Sequence, residues 1–258
     1  MSLGTGRISQ PAEYILPIEH HQMSTSELIE KITELPPDWH TAGMASPEVL
    51  RAIASHAEQI GPIRQSAETG SGITTLLLSH LSANHIVFSL DLHSSLRQAK
   101  VSPLLNSEVV TFVEGPTQVT LPNYRFRRKL QIALIDGPHG YPFPDLEYYY
   151  FYPLVETGGL LIIDDINIPS IGRMFDIVKA DDMFDLLEVV HHTAILRRSQ
   201  APMVNPHSDS WWLQGYNRAH YKKISGMTHP LRNLAKITPS FIKRMIPANL
   251  KTLLWRIQ

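Results

Sequence analysis

Residues 130–135 (LQIALI), closed by Asp136, and residues 158–165 (GGLLIIDD) decide the fold of this chain. Each run is short, largely apolar and ends on a carboxylate, which is typical of a parallel strand buried on both faces. The helix-length segment between them predicts a crossover connection, so both strands run in the same direction. Their carboxyl ends then lie at one edge of the sheet, where open α/β sheets bind ligands.

Three carboxylates meet at this predicted edge, those of Asp136, Asp164 and Asp165. Like charges at short range repel each other unless a cation lies between them. A hard divalent cation such as Mg²⁺ takes oxygen ligands of this kind. The sequence therefore predicts a metal site formed by Asp136, Asp164 and Asp165. In the alternative, Asp164 caps the following helix and Asp165 is an ordinary surface residue.

Strand-like and helix-like segments alternate through the middle of the chain. The predicted strands are 63–68, 86–90, 109–113, 130–135, 160–163, 186–190 and 193–196, and the predicted helices between them are 73–81, 94–100, 144–155 and 170–180. Such alternation predicts an α/β fold: a doubly wound, Rossmann-like, mostly parallel seven-stranded sheet with helices on both faces.

We divide the chain into three parts. Residues 1–60 form an N-terminal helical cap, with helices predicted at 24–35 and 47–59, where Ser46-Pro47 marks a helix start. Residues 61–200 form the main domain. Residues 201–258 form a loop followed by a basic helical extension.

Composition excludes several kinds of site. The chain has no cysteine, so it holds no disulfide, thiolate nucleophile or Cys-ligated zinc. The first residues lack the basic and then apolar pattern of a signal peptide, and no apolar run is long enough to cross a bilayer. We expect a cytoplasmic protein.

Charge is distributed unevenly along the chain. All 24 acidic residues fall within residues 1–209, whereas residues 210–258 contain nine Lys and Arg and no acid. A basic amphipathic tail can lie on an anionic membrane surface or bind a partner. We favour packing of the tail on the acidic body of the same chain, or of a second subunit in a homo-oligomer. Nucleic acid is not an expected partner, because the sheet domain is not basic.

A glycine-rich turn follows the first predicted strand. Residues 68–75 (ETGSGITT) place Gly70 and Gly72 where the backbone can approach a ligand, at the start of a helix with free N–H groups. Asp91 ends the next strand, where a carboxylate can bind both hydroxyls of a ribose. The pattern predicts a ligand that contains a nucleoside; the alternative is a tight turn that binds nothing.

The charge of this turn favours one class of nucleoside ligand. A dinucleotide fingerprint has a third glycine where Thr75 stands. Glu68 would repel a pyrophosphate, but it suits S-adenosylmethionine, which carries an ammonium and a sulfonium group.

The combined motifs resemble a known family over residues 40–198. Residues 68–72 (ETGSG), Asp91, residues 115–118 (GPTQ) and Asp136 resemble the class I S-adenosylmethionine-dependent methyltransferases. The blocks IDGPHGYPFPDLE (135–147) and GGLLIIDD are similar to metal-dependent O-methyltransferases, which include the catechol enzymes and the sugar enzymes of antibiotic pathways. The pair Asp164-Asp165 departs from the Asp-Asn of the catechol enzymes.

The resemblance implies a role for each motif. Glu68 and Gly70 line the methionine part of the donor, Asp91 binds the ribose, and Gly115 with Gln118 borders the adenine. The full set of implied donor-binding residues is Glu68, Gly70, Ser71, Gly72, Asp91, Gly115, Gln118 and Asp136. His139 stands where the family keeps its general base, and the unperturbed pKa of histidine, about 6.5, suits proton transfer near neutrality.

We therefore expect a Mg²⁺-assisted O-methyltransferase that acts on a hydroxyl of a small molecule, a sugar or a saccharide-containing natural product. Two other functions stay open at this point. One is an NAD-dependent oxidoreductase, and the other is a catalytically inactive methyltransferase fold that serves as a binding protein.

Overall fold

A computed structural model describes residues 23–37, 39, 44–90 and 94–225 of the chain, with the backbone alone for residues 222–225. The strands are β1 (Ser66–Thr69), β2 (His85–Ser89), β3 (Val110–Glu114), β4 (Leu130–Ile135), β5 (Val155–Ile163), β6 (Phe184–Val190) and β7 (Thr193–Arg198). The helices are α1 (Thr25–Thr33), α2 (Pro47–Ile60), α3 (Ile73–Leu81), α4 (Ser95–Val101), α5 (Thr117–Asn123), α6 (Phe143–Phe151), α7 (Pro169–Val178) and α8 (Gly215–Ser225).

The seven strands form one sheet in the order β3-β2-β1-β4-β5-β7-β6. Strands β1 to β5 are parallel, and β7 pairs antiparallel with both β5 and β6. The strand order switches sides at β1 and β4: β2 and β3 lie on one side of β1, and β4 and β5 lie on the other. Open α/β sheets bind ligands at such a switch point. The predicted fold class and the closing hairpin are confirmed.

Both faces of the sheet are covered, because the central strands are apolar at successive positions, which point to opposite faces. Ile132 and Leu134 of β4 pack with α1, α2 and α3, whereas Ala133 and Ile135 pack on the side of α5, α6 and α7. Burial of a large aliphatic side chain contributes about 2 kcal/mol, so these two cores fix the strands that carry the site. Helices α1 and α2 share their core with α3 and the sheet.

Two helix starts agree with the sequence. The Ser24 hydroxyl accepts a hydrogen bond from the Glu27 amide at the start of α1, and Ser46 caps α2 in the same way through Val49. Pro47 occupies the first position of α2, where its missing N–H costs nothing.

Three predicted bounds were wrong. Helix α6 ends at Phe151 rather than at residue 155, because Pro153 follows. Strand β5 begins at Val155 and includes Gly158 and Gly159, which adapt the strand to a register shift against β4. The first strand begins at Ser66 instead of residue 63, and Ile63 makes only an isolated bridge to Ser82.

The described part of the chain contains no helix that is long and apolar enough to cross a bilayer. Asp91 and the basic residues beyond residue 225 lie outside the described residues, so the predictions made for them are carried forward unchanged.

Candidate active site

The site is built at the carboxyl edge of the sheet from two adjacent regions. The first is the glycine turn between β1 and α3, and the second is the loop that follows β4 together with the end of β5.

A closed set of hydrogen bonds lies under the glycine turn. The Glu68 carboxylate is fully buried and accepts hydrogen bonds from the Thr74 and Thr75 hydroxyls, the first at 2.8 Å. His85 on β2 lies beside it, with Nε2 3.1 Å from Glu68 Oε1 and Nδ1 2.8 Å from the Ser66 hydroxyl. We call Ser66, Glu68, Thr74, Thr75 and His85 the buried network.

The buried network explains why a central strand carries polar residues. Both ring nitrogens of His85 lie within hydrogen-bond distance of a partner, Nε2 of Glu68 and Nδ1 of Ser66, so the buried ring is satisfied. The Thr75 hydroxyl also accepts from the Gly72 amide, 3.0 Å away, which ties the second glycine to Glu68. Glu68 therefore sets the shape of the turn, and its predicted contact with the methionine part of a donor stays a prediction.

The glycine turn touches the end of β4. Gly70 has φ of 81°, and a Cβ at this position would lie 2.1 Å from the Asp136 carbonyl oxygen. Only glycine fits such a backbone at such a separation. Ser71 is held beside the turn by the Ser89 hydroxyl at 2.8 Å. Gly70, Ser71, Gly115 and Asp136 are partly exposed and Gln118 is exposed, so this edge is open to a ligand.

Asp136, His139 and Asp165 converge at the same edge. One ligand atom of each lies within 4.8 Å of those of the other two. His139 Nε2 is 3.7 Å from Asp136 Oδ1 and 3.4 Å from Asp165 Oδ2. The side chains of Asp136, His139 and Asp165 are 31, 42 and 37 % exposed. We call these three residues the rim site.

Local backbone geometry aims each member of the rim site. Asp165 has φ of 54°, a left-handed conformation that aspartate tolerates better than most residues, and it turns the chain directly after Asp164. The Ser170 hydroxyl at the start of α7 donates to the His139 carbonyl and holds the loop. The Asp136 amide donates to the Thr69 hydroxyl at 3.1 Å, which fixes Asp136 relative to β1.

Asp164 lies at the same edge but its carboxylate is engaged. Its Oδ1 accepts from the Thr193 hydroxyl at 2.5 Å and from the Asp165 amide at 2.9 Å. The register of β5 and β7 places Thr193 beside it, since Ile163 pairs with Ala194. The structure brings Asp136 and Asp165 together with His139 and leaves Asp164 behind them, so a direct metal contact by Asp164 stays a prediction.

The electrostatics of the rim site favour binding of a cation. Burial raises the pKa of Asp136 to about 7, the Asp164 carboxylate acts in the same direction, and the polar contact with His139 opposes the rise. That contact, with the nearby carboxylates, raises the pKa of His139, and burial opposes this. Because 31 % of the Asp136 side chain is exposed, water still reaches the carboxylate. A cation in this place would relieve the repulsion between the carboxylates.

Glu147 on α6 is a site residue that sequence reasoning missed. Its side chain is buried and its Oε2 accepts from the Thr69 hydroxyl at 2.7 Å, so Thr69 joins Glu147 to the Asp136 amide. Its Oε1 makes no well-directed hydrogen bond with a described residue, and it occupies the space that a Cβ of residue 137 would need. Burial raises the pKa of Glu147 to about 7, against the hydrogen bonds from Thr117 and Thr69.

Comparison with known proteins agrees with this geometry. Residues 67–166 match the model of a family described as a methyltransferase domain. No curated protein sequence matches the chain at a significant level.

Solved structures with the same fold include three bacterial proteins. A Staphylococcus aureus protein assigned as a caffeoyl-CoA O-methyltransferase has a TM-score of 0.53 and 13 % identity, over 68 % of this chain and 92 % of its own. TomG of Streptomyces achromogenes, an O-methyltransferase solved with S-adenosylmethionine, has a TM-score of 0.52 and 12 % identity, over 68 % and 89 %. A Klebsiella pneumoniae protein assigned as an O-methyltransferase has a TM-score of 0.52 and 12 % identity, over 68 % and 88 %.

The family match covers the glycine turn, the rim site and the strands between them, and the likeness to solved structures extends over the sheet. Residues 67–166 therefore match a methyltransferase domain, and the sheet that surrounds them has the fold of these solved methyltransferases.

Proposed function

We propose that the chain transfers the methyl group of S-adenosylmethionine to a hydroxyl of a sugar or a saccharide-containing natural product, with a divalent cation, Mg²⁺, at the rim site. One observation carries the proposal: Asp136 belongs to both regions of the site. Its carbonyl faces Gly70 of the glycine turn, and its side chain faces His139.

The fit of a cation is supported by the chemistry of the donors. Asp136 and Asp165 offer hard oxygen ligands, and Asp164 adds negative charge behind them. A divalent cation bound there would orient the acceptor and lower the pKa of its hydroxyl. His139 then accepts the hydroxyl proton at Nε2, the atom that faces both carboxylates.

The reaction balances with these groups alone. The acceptor oxygen forms a bond to the methyl carbon while the bond from carbon to sulfur breaks, and the sulfonium becomes a neutral thioether. The proton passes to His139. Because this displacement is in line, the positions of the glycine turn and the rim site set the rate.

The two other functions have less support. Thr75, which replaces the third glycine of a dinucleotide fingerprint, is engaged with Glu68, and the family match is to a methyltransferase. An inactive binding protein would not need a histidine between two carboxylates. Cytoplasmic location and oligomeric state stay predictions.

The test is a methyl-transfer assay with radiolabelled S-adenosylmethionine against a panel of glycosides and catechols, with and without EDTA. We expect methyl transfer to a glycoside, which EDTA abolishes and added Mg²⁺ restores. The control is Asp176→Asn, at an exposed carboxylate on α7 that pairs with Lys179. Activity that survives EDTA would show that the reaction does not need a metal. Transfer to catechols alone would contradict a sugar acceptor.

A further inference from the structure

A second concave region lies between α6, α7 and residues 204–217. Its volume is about 440 Å³, within the range of small-molecule sites. Asp136, His139 and Asp165 do not line it. The cavity is therefore separate from the rim site, and the methyl-transfer reaction does not account for it.

Aromatic rings form much of the cavity wall. On α6, the rings of Tyr148 and Tyr152 stack with centroids 5.1 Å apart and planes inclined by 23°. Tyr149 is 40 % exposed beside them. Trp211 approaches from the segment that covers the cavity. Aromatic rings that keep one apolar face open bind the C–H face of a ligand ring without losing a polar contact.

The remaining wall combines aliphatic side chains, among them Met174 and Val178, with polar groups. Asn205, Ser208, Ser210 and Gln214 contribute amides and hydroxyls, and Asp145 and Asp209 contribute carboxylates. Among the described residues, no Lys or Arg lines the cavity. An anionic ligand would meet two carboxylates and no cationic side chain among the described residues, so a neutral ligand that uses the amides and hydroxyls fits best.

One buried polar atom in the wall lacks a partner. The Tyr148 hydroxyl makes no hydrogen bond among the described residues, although it is buried. By contrast, the Tyr152 hydroxyl donates to the Val204 carbonyl at 3.0 Å. A buried unpaired hydroxyl costs free energy unless a ligand or water satisfies it.

We propose that this cavity is a binding site for a neutral saccharide ring, in which the tyrosines contact the C–H face and the polar rim binds the hydroxyls. Helix α6 connects this cavity to the loop that carries His139, since the helix begins at Phe143 and Tyr148 lies on it. Binding in the cavity does not rest on the proposed function.

The experiment measures binding without donor or metal. The full chain is labelled with 5-fluorotryptophan, the Trp211 resonance is assigned with Trp211→Phe, and neutral methyl glycosides are titrated in EDTA. We expect at least one methyl glycoside to shift the Trp211 resonance, and methyl glucuronate, its anionic counterpart, to bind about tenfold more weakly. Tyr149→Ala should weaken binding about tenfold. Leu186→Ala on β6, 45 % exposed and remote from the cavity, should leave it unchanged.

Three outcomes would overturn the proposal: no shift with any neutral glycoside, tighter binding of the anionic glycoside, or binding that Tyr149→Ala leaves intact. Asp136→Asn separates this proposal from the proposed function. It should abolish methyl transfer and leave the saccharide titration unchanged.

Discussion

The buried network and the rim site use the same residue types in opposite ways. In the buried network, Glu68 and His85 lie 3.1 Å apart without exposure, and the hydroxyls around them satisfy both. In the rim site, His139 stands 3.4 and 3.7 Å from two carboxylates that are partly open to water. Polar groups that form hydrogen bonds with each other stabilise the fold, whereas polar groups with unused hydrogen-bonding capacity are available to a ligand.

The largest expected effect comes from breaking the buried network. His85→Leu leaves the Glu68 carboxylate buried without one of its donors, so we expect the free energy of unfolding to fall by about 3–5 kcal/mol. Urea denaturation measures it. His80→Leu, at an exposed histidine with one bond to the Leu104 carbonyl, should cost less than about 1 kcal/mol. Equal losses would show that the buried network has no special role in stability.

Glu147 lies between the two regions and gives a pH-dependent test. The folded state raises its pKa from 4.5 to about 7, so the folded protein holds this proton more tightly than the unfolded chain. The resulting stability is complete below pH 4.5 and is lost as pH rises through about 7. Glu147→Gln does not titrate at this position, so it keeps its stability while the native chain loses the contribution of the Glu147 proton. The free energy of unfolding of the variant, relative to that of the native chain, should therefore rise by about 3 kcal/mol from pH 5 to pH 8.

Urea denaturation of both proteins at the two pH values makes the comparison. Glu156→Gln is the control, since this carboxylate is partly exposed beside Arg64. A stability difference between Glu147→Gln and the native chain that does not change with pH would contradict the assignment of a protonated Glu147.

The rim site should respond in activity and little in stability. Asp165→Asn keeps the left-handed backbone and removes the charge, and we expect methyl transfer to fall at least about 100-fold, close to 3 kcal/mol. Donor affinity and the unfolding free energy should change little, because Asp165 is partly exposed. A loss of stability as large as that of His85→Leu would place Asp165 with the structural residues.

Asp164 should give the smallest effect of the four. In Asp164→Asn, the side-chain oxygen can still accept hydrogen bonds from the Thr193 hydroxyl and the Asp165 amide. The substitution removes one negative charge behind the rim site. We expect Mg²⁺ affinity, measured by calorimetry, to fall about tenfold. A loss as large as that of Asp165→Asn would make Asp164 a direct ligand.

The sequence predicted what depends on local pattern. Short apolar runs that alternate with helical segments predicted the parallel strands, and the glycines at 70 and 72 predicted the turn. It could not reveal which polar side chains satisfy each other across the sheet. His85 precedes the strand predicted at 86–90, and only the register of β1 and β2, which pairs it with Ser66, brings it under Glu68. Glu147 is eleven residues after Asp136 on another element, and α6 must pack before its carboxylate lies beneath residue 137.

Asp164 and Asp165 also owe their different positions to contacts that a sequence does not show. Adjacent carboxylates look equivalent in a sequence, but the left-handed turn at Asp165 sends them in different directions. Strand β7 is antiparallel to β5 and supplies the Thr193 hydroxyl that donates to Asp164. Neither strand's sequence alone shows the register that brings these two residues together.

Whether the rim site binds a cation can be measured by anomalous diffraction from crystals grown with S-adenosylhomocysteine and Mn²⁺, a visible substitute for Mg²⁺. We expect one strong peak within about 2.5 Å of carboxylate oxygens from both Asp136 and Asp165, and its loss in Asp165→Asn. A peak elsewhere, or an empty rim site at saturating Mn²⁺ with the product bound, would contradict this expectation.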